Sequence, residues 1–103
     1  MRLPLPIREY RWQIPDRFHK TTRKFRQWRS DFIWPDYHLV VEVEGGSYVN
    51  GGHNRSKTFE DNCLKYNEIT LEGFAVMRFT CDQIRSGEAL ILVQEYFTKK
   101  HTY

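Results

Sequence analysis

The stretch Leu39–Glu44 (LVVEVE) restricts what this chain can become more than any other segment. Its four apolar residues, three of them valine, suit a strand deep in a sheet. Side chains alternate along a strand, so Leu39, Val41 and Val43 share one face and Val40, Glu42 and Glu44 the other. Two carboxylates then stand about 6.6–6.8 Å apart on an apolar strand. Burying such charges is costly unless counter-charges meet them. One solution is a divalent cation of the Mg²⁺ type, which prefers oxygen ligands. The plainer one is a half-exposed sheet face whose acids pair with Arg29 and Arg78.

The flanking sequence predicts the rest of the architecture. Phe25–Trp34 alternates polar and apolar residues as a strand does, and Pro35-Asp36 signals a turn. A connection this short predicts an antiparallel hairpin with Leu39–Glu44. Asp31 would then fall opposite roughly Glu42, so that three acidic groups converge beside Gly45 and Gly46. A loop through Asn50-Gly51-Gly52 follows. Phe59–Glu72 reads as a helix that buries Phe59, Cys63, Tyr66, Ile69 and Thr70 and stops at Gly73. Phe74–Thr80 reads as a third strand, residues 82–85 as a turn of helix, and Gly87 onward as an amphipathic helix. The order is β-β-β-α-β-α: an α/β fold whose mixed β-sheet is flanked by α-helices. Residues 1–23, with Pro4, Pro6 and Pro15, read as an extended basic arm containing a short strand near Glu9–Trp12. Residues 24–103 read as one domain.

Composition narrows the function classes. The 103 residues allow one small domain, and 40% hydrophobic with 16% aromatic residues is enough for a core. No run of about 18 apolar residues is present, so no membrane span is expected. MRLPLPIREYRW lacks the long apolar stretch and small-residue cleavage site of a secretory signal. Cys63 and Cys81 are too few for a disulfide framework or a four-ligand zinc site, and a cytoplasmic location is expected. The net charge of +3 hides an asymmetry. Residues 1–29 hold nine basic and two acidic residues, while the remainder holds seven basic and eleven acidic. A basic segment interleaved with Tyr10, Trp12, Phe18, Phe25 and Trp28 suits phosphates and bases. It equally suits a solvated flank whose aromatic residues feed the core.

Asp31, eleven residues, then Glu42-Val43-Glu44 resembles the core of the PD-(D/E)XK nucleases. The stretch from Asp31 to Thr80 is similar to small phage and prophage endonucleases related to Holliday-junction resolvases and very-short-patch repair enzymes. The likeness runs through D-F-x-W-P, E-x-E-G-G, G-x-H-x-R, D-x-x-x-K-Y-N and G-x-x-V-x-R-F-T in order, over about residues 24–84. It implies a restriction-endonuclease-like core, Mg²⁺ (with Mn²⁺ as a substitute), DNA as partner and hydrolysis of phosphodiester bonds, with selectivity for branched or junction DNA. A homodimer would suit a junction. The metal ligands it implies are Asp31 and Glu42, and Glu44 is a further candidate, to bind the metal or to orient a metal-bound water.

One departure stands out: Glu44 occupies the position of the family's lysine. Lys65, on the following helix, is the leading candidate to supply the missing charge, with Lys57 second. The plainer reading makes Lys65 an exposed partner of Asp61 one turn away. His53 is a candidate general acid or base. Arg26, Arg29, Arg55, Lys57, Gly45 and Gly46 are candidate nucleic-acid contacts. Asp61 is either an outer support of the site or a favourable charge near the helix N-terminus, Cys63 reads as core, and Glu9 as a further acidic group. Three other readings compete: a non-catalytic nucleic-acid-binding module on a degenerate nuclease fold, an HNH-type nuclease built on His53 with Asn62 or Asn67, and a small protein-interaction module.

Overall fold

Leu39, Val40 and Val41 are all buried, so the strand that carries them is covered on both faces. In a computed structural model, residues 3–18, 25–44 and 55–99 are described, apart from the side chains of 55–58. They run as β1 (Ile7–Arg11), β2 (Ile14–Pro15), β3 (Phe25–Arg26), β4 (Arg29–Trp34), β5 (Leu39–Glu44), α1 (Arg55–Leu71), β6 (Ala75–Thr80), α2 (Cys81–Arg85) and α3 (Glu88–Lys99). The main sheet has the order β1-β4-β5-β6, and β2 and β3 form a separate two-stranded ribbon. β1 and β5 each pair antiparallel with β4, whereas β5 and β6 are parallel. The fold is therefore α/β, with a mixed four-stranded sheet flanked by helices. No helix among the described residues is long and apolar enough to cross a membrane.

Two core clusters divide the alternating residues of β5. Leu39 and Val41 pack with Trp34, Phe79 and the α3 residues Ala89, Val93 and Phe97. Those three helical residues recur every four positions, the stripe an amphipathic helix offers a sheet. Val40 faces the other way, towards Ile33, Trp12, Ile14, Trp28 and Ile69 of α1. The turn between β4 and β5 is a single 3-10 turn, Pro35–Tyr37, followed by His38 at φ 52°. α1 ends at Gly73, whose φ of 95° is a conformation glycine adopts without penalty.

Within the basic segment 1–23, described residues join the domain. β1 is an edge strand of the main sheet, and Trp12 and Ile14 lie in the core. The strand expected near Glu9–Trp12 is β1, shifted towards the N-terminus. The single strand expected over Phe25–Trp34 is split into β3 and β4.

α1 departs most from its apolar pattern. Phe59 is 66% exposed, and Cys63 and Thr70 are exposed as well. Beside Ile69, the helix buries Lys65 and Glu68. Asp61, one turn before Lys65, is half-buried. The helix is turned so that charged residues face inward because each meets an opposite charge there. Arg17 binds Glu68 through two hydrogen bonds of 2.6 and 2.8 Å. Arg26 pairs with Asp61, which also accepts from Trp28 Nε1 at 3.0 Å. Lys65 pairs with Glu42.

Candidate functional site

The site forms where the β4–β5 ladder opens. Register pairing runs Trp34–Leu39, Ile33–Val40 and Phe32–Val41 and stops there. The next pair would have been Asp31 with Glu42, as the hairpin predicts. Instead, the Val43 N–H donates to Asp31 Oδ2 at 2.7 Å, so a side chain closes what the backbone leaves open. The β1–β4 ladder is interrupted at the same level. Arg8 pairs with Phe32 and Tyr10 with Ser30, skipping Glu9 and Asp31. Glu9 has φ 52°, an uncommon conformation for a residue with a side chain. Arg8, Glu9, Arg29, Asp31, Phe32 and Val43 line a shallow groove of about 300 Å³ at this opening.

Glu42 lies on the α1 side and is only 4% exposed. Lys65 Nζ stands 3.1 Å from Glu42 Oε2 and donates a directed hydrogen bond to the Arg29 carbonyl at 2.6 Å. Despite the ammonium at ion-pair distance, Oε2 accepts no well-directed hydrogen bond. Burial pushes the Glu42 carboxyl above its ordinary value. The Lys65 charge and the Ser30 hydroxyl pull it back, and the charge of Asp31 pushes it further up. Ser30 is itself fixed: it is fully buried and accepts from Trp12 Nε1 at 2.8 Å.

Glu44 takes a different role from Glu42. Its Oε2 accepts from Tyr66 Oη at 2.8 Å and from Arg78 Nε at 3.1 Å. Burial, then the bond and charge of Glu44, hold the Tyr66 phenol well above its ordinary value, so it stays a donor. The Arg78 guanidinium carbon sits 4.5 Å from the Tyr66 ring centroid.

No known protein family, curated protein or solved structure matches this chain.

The geometry therefore stands on its own. It brings Asp31, Glu42 and Lys65 to one end of the sheet. It does not bring three carboxylates to one point: among the described residues, no three Asp, Glu, His or Cys side chains are grouped to hold a metal ion. The expected convergence fails for two reasons: Glu44 is drawn aside by Tyr66 and Arg78, and one Asp31 oxygen is spent on Val43. The remaining donors still fit a hard cation in kind. They are carboxylate oxygens, one of them buried without a directed hydrogen bond, and Mg²⁺ is commonly held by only one or two carboxylates with waters and substrate phosphates.

Arg26 does not serve as an exposed nucleic-acid contact. It is 8% exposed, paired with Asp61 and stacked 4.6 Å from the Trp28 ring centroid. Arg29 remains half-exposed, 3.2 Å from Glu9. Cys63 is exposed rather than core. Lys65 is buried against Glu42, not an exposed partner of Asp61. Gly45, Gly46 and His53 lie outside the described residues, as do the side chains of Arg55 and Lys57, which open α1. Sequence reasoning missed Trp12 and Ser30 as supports of Glu42 and Tyr66 as a partner of Glu44, whereas Arg78, expected as a counter-charge for the acids of this strand, pairs with Glu44. The one available signal was Tyr66 directly after Lys65, a polar-tipped aromatic in a helix otherwise poor in apolar residues.

Proposed function

We propose that this protein is a metal-dependent DNA endonuclease on a restriction-endonuclease-like core. The observation that carries the proposal is Glu42: a carboxylate in the interior of a strand, beside Asp31 at a broken ladder, with a lysine from the next helix against it and one oxygen without a directed hydrogen bond. The pairing supports Lys65 as the cation that stands in for the one lost at Glu44. Asp31 and Glu42 would hold Mg²⁺, with Mn²⁺ as a substitute. Bound there, the cation would polarise the scissile phosphate and supply a hydroxide-like water. Lys65 holds the Glu42 carboxylate in place and presents an ammonium to the phosphate or the attacking water. Arg8 and Arg29 flank the groove and would grip the backbone of DNA. Branched DNA as substrate, a homodimer on it and a cytoplasmic setting all belong to this reading. The free thiols of Cys63 and Cys81 agree with the last.

A second reading has its own observation. The Glu42 charge is already balanced by Lys65, so the fold needs no cation at this point. A non-catalytic nucleic-acid-binding module would look the same.

Cleavage of labelled four-way junction, flap and plain duplex, with Mg²⁺ or Mn²⁺ and with EDTA, separates the two. The nuclease reading expects cutting that EDTA stops and that Asp31→Asn and Lys65→Ala each reduce about 100-fold or more. DNA retained in a gel shift without cutting under any cation would put the binding module first.

A further inference from the structure

Arg78 is the cation at this end of the sheet that the proposed chemistry leaves unused. On β6 it is the register partner of Glu42 in the parallel β5–β6 pairing, so it borders the candidate site directly. Two contacts fix its guanidinium plane. Nε donates to Glu44 Oε2, and the group lies over the Tyr66 ring. Tyr66 is itself held, because its hydroxyl donates to the same glutamate oxygen. Lys65 Nζ lies 5.5 Å from the same ring centroid, so one aromatic ring carries a cation beside each glutamate.

The arrangement consumes only part of the guanidinium. Glu44 takes Nε, and among the described residues no other acceptor bonds the two terminal amino groups. The side chain is 49% exposed. An arginine held by its Nε, stacked on a ring and half-exposed has little orientational freedom left to lose on binding an anion. Its planar fork matches the oxygens of a phosphate.

We infer that Arg78 is a phosphate-binding residue bordering the candidate site, held ready by Glu44 and Tyr66, and that its ligand is the backbone of a DNA strand. The inference rests on the DNA-binding half of the proposed function. It also gives Glu44 a task. Where the resembled nucleases carry a lysine, this chain carries an anchor for a cation on the neighbouring strand.

The test is fluorescence anisotropy of a labelled 30-base-pair duplex in EDTA, titrated from 50 to 200 mM KCl. EDTA removes cleavage, so binding is read alone. Arg78→Gln is expected to weaken binding roughly tenfold and to make the log–log salt slope shallower by about 0.9, the contribution of one phosphate contact on duplex DNA. Arg78→Lys keeps the charge, so the slope is expected to hold while affinity falls about threefold through loss of the planar fork. Tyr66→Phe, which removes the bond to Glu44, is expected to weaken binding by about the same factor without changing the slope. Arg85→Gln, a change at an exposed α2 residue paired with Asp82, should alter neither quantity. A salt slope and affinity unchanged in Arg78→Gln, in protein with the circular dichroism of the parent, overturn this inference alone. Failure of the intact protein to bind both this duplex and a labelled four-way junction overturns it together with the DNA reading on which it rests.

Discussion

The two faces of the sheet solve the same problem with different chemistry. On the α3 face, Leu39, Val41, Phe79, Val93 and Phe97 form an almost wholly apolar contact. On the α1 face, Val40, Ile33 and Ile69 share the interior with Glu42, Lys65, Glu68, Arg26 and Ser30. Burial of an apolar side chain stabilises by about 1.5–3 kcal/mol and needs no particular partner. A buried charge stabilises nothing by itself and demands one partner in one geometry. The apolar face can therefore tolerate change that the charged face cannot, and the charged face is where a fold places groups poised for chemistry.

The comparison breaks most visibly at Phe97 and Lys65. Phe97→Ala should cost about 3–5 kcal/mol by denaturant unfolding, with nearly the same cost from pH 5 to 8, because no charge is involved. Lys65→Met should also cost about 3–5 kcal/mol at pH 7, since it leaves Glu42 buried without its cation. Unlike the first, this cost should shrink as the pH is lowered. The Glu42 pKa is raised in the fold, so its favourable state is the protonated one, present below the unfolded value of about 4.5. Stability is lost as the pH rises through the higher folded value. Equal costs at both ends of the pH range for Lys65→Met would break the contrast. The double change Glu42→Gln with Lys65→Met should recover much of the loss, because both charges leave together.

Smaller effects sharpen the contrast. Trp12→Phe keeps the aromatic packing but removes the donor to Ser30, and should cost about 0.5–1.5 kcal/mol. Glu95→Gln cuts an exposed α3 pair with Lys99 and should change stability by no more than about 0.5 kcal/mol. A larger loss at Glu95 than at Trp12 would mean that exposure is a poor guide to cost on these two faces.

Legibility in the sequence follows the same division. α3 was readable because Ala89, Val93 and Phe97 are apolar at helical spacing, and spacing alone places them. β5 was readable because its valines alternate around two glutamates. The turn of α1 was not. Its apolar residues pointed to Phe59 and Cys63, whereas Asp61, Lys65 and Glu68 turn inward to meet Arg26, Glu42 and Arg17. Periodicity reports hydrophobic burial and cannot report that a lysine on the helix will meet a glutamate on a strand 23 positions earlier. The basic excess of the first third misled for the same reason. Part of it serves DNA in the proposed reading, but Arg17 and Arg26 answer acids on α1. At the candidate site, Asp31, Glu42 and Lys65 could be named in advance, because a charge in an apolar strand demands an explanation. Ser30 and Tyr66 could not, because each is ordinary until its partner is known, and Arg78 could be named as a counter-charge for these acids but not assigned to Glu44.

By itself, then, the sequence determined the order of the main-sheet strands and the helices, the hairpin that sets Asp31 near Glu42, and the need to compensate two glutamates on β5, but not the β2–β3 ribbon. Those follow from local conformational preference and from the cost of desolvating a charge. The tertiary structure alone decided which cation answers which glutamate: Lys65 for Glu42, and Arg78 with Tyr66 for Glu44. An ion pair depends on a few ångströms of separation between residues far apart in the chain, and only the packing of α1 and β6 against β5 sets that distance.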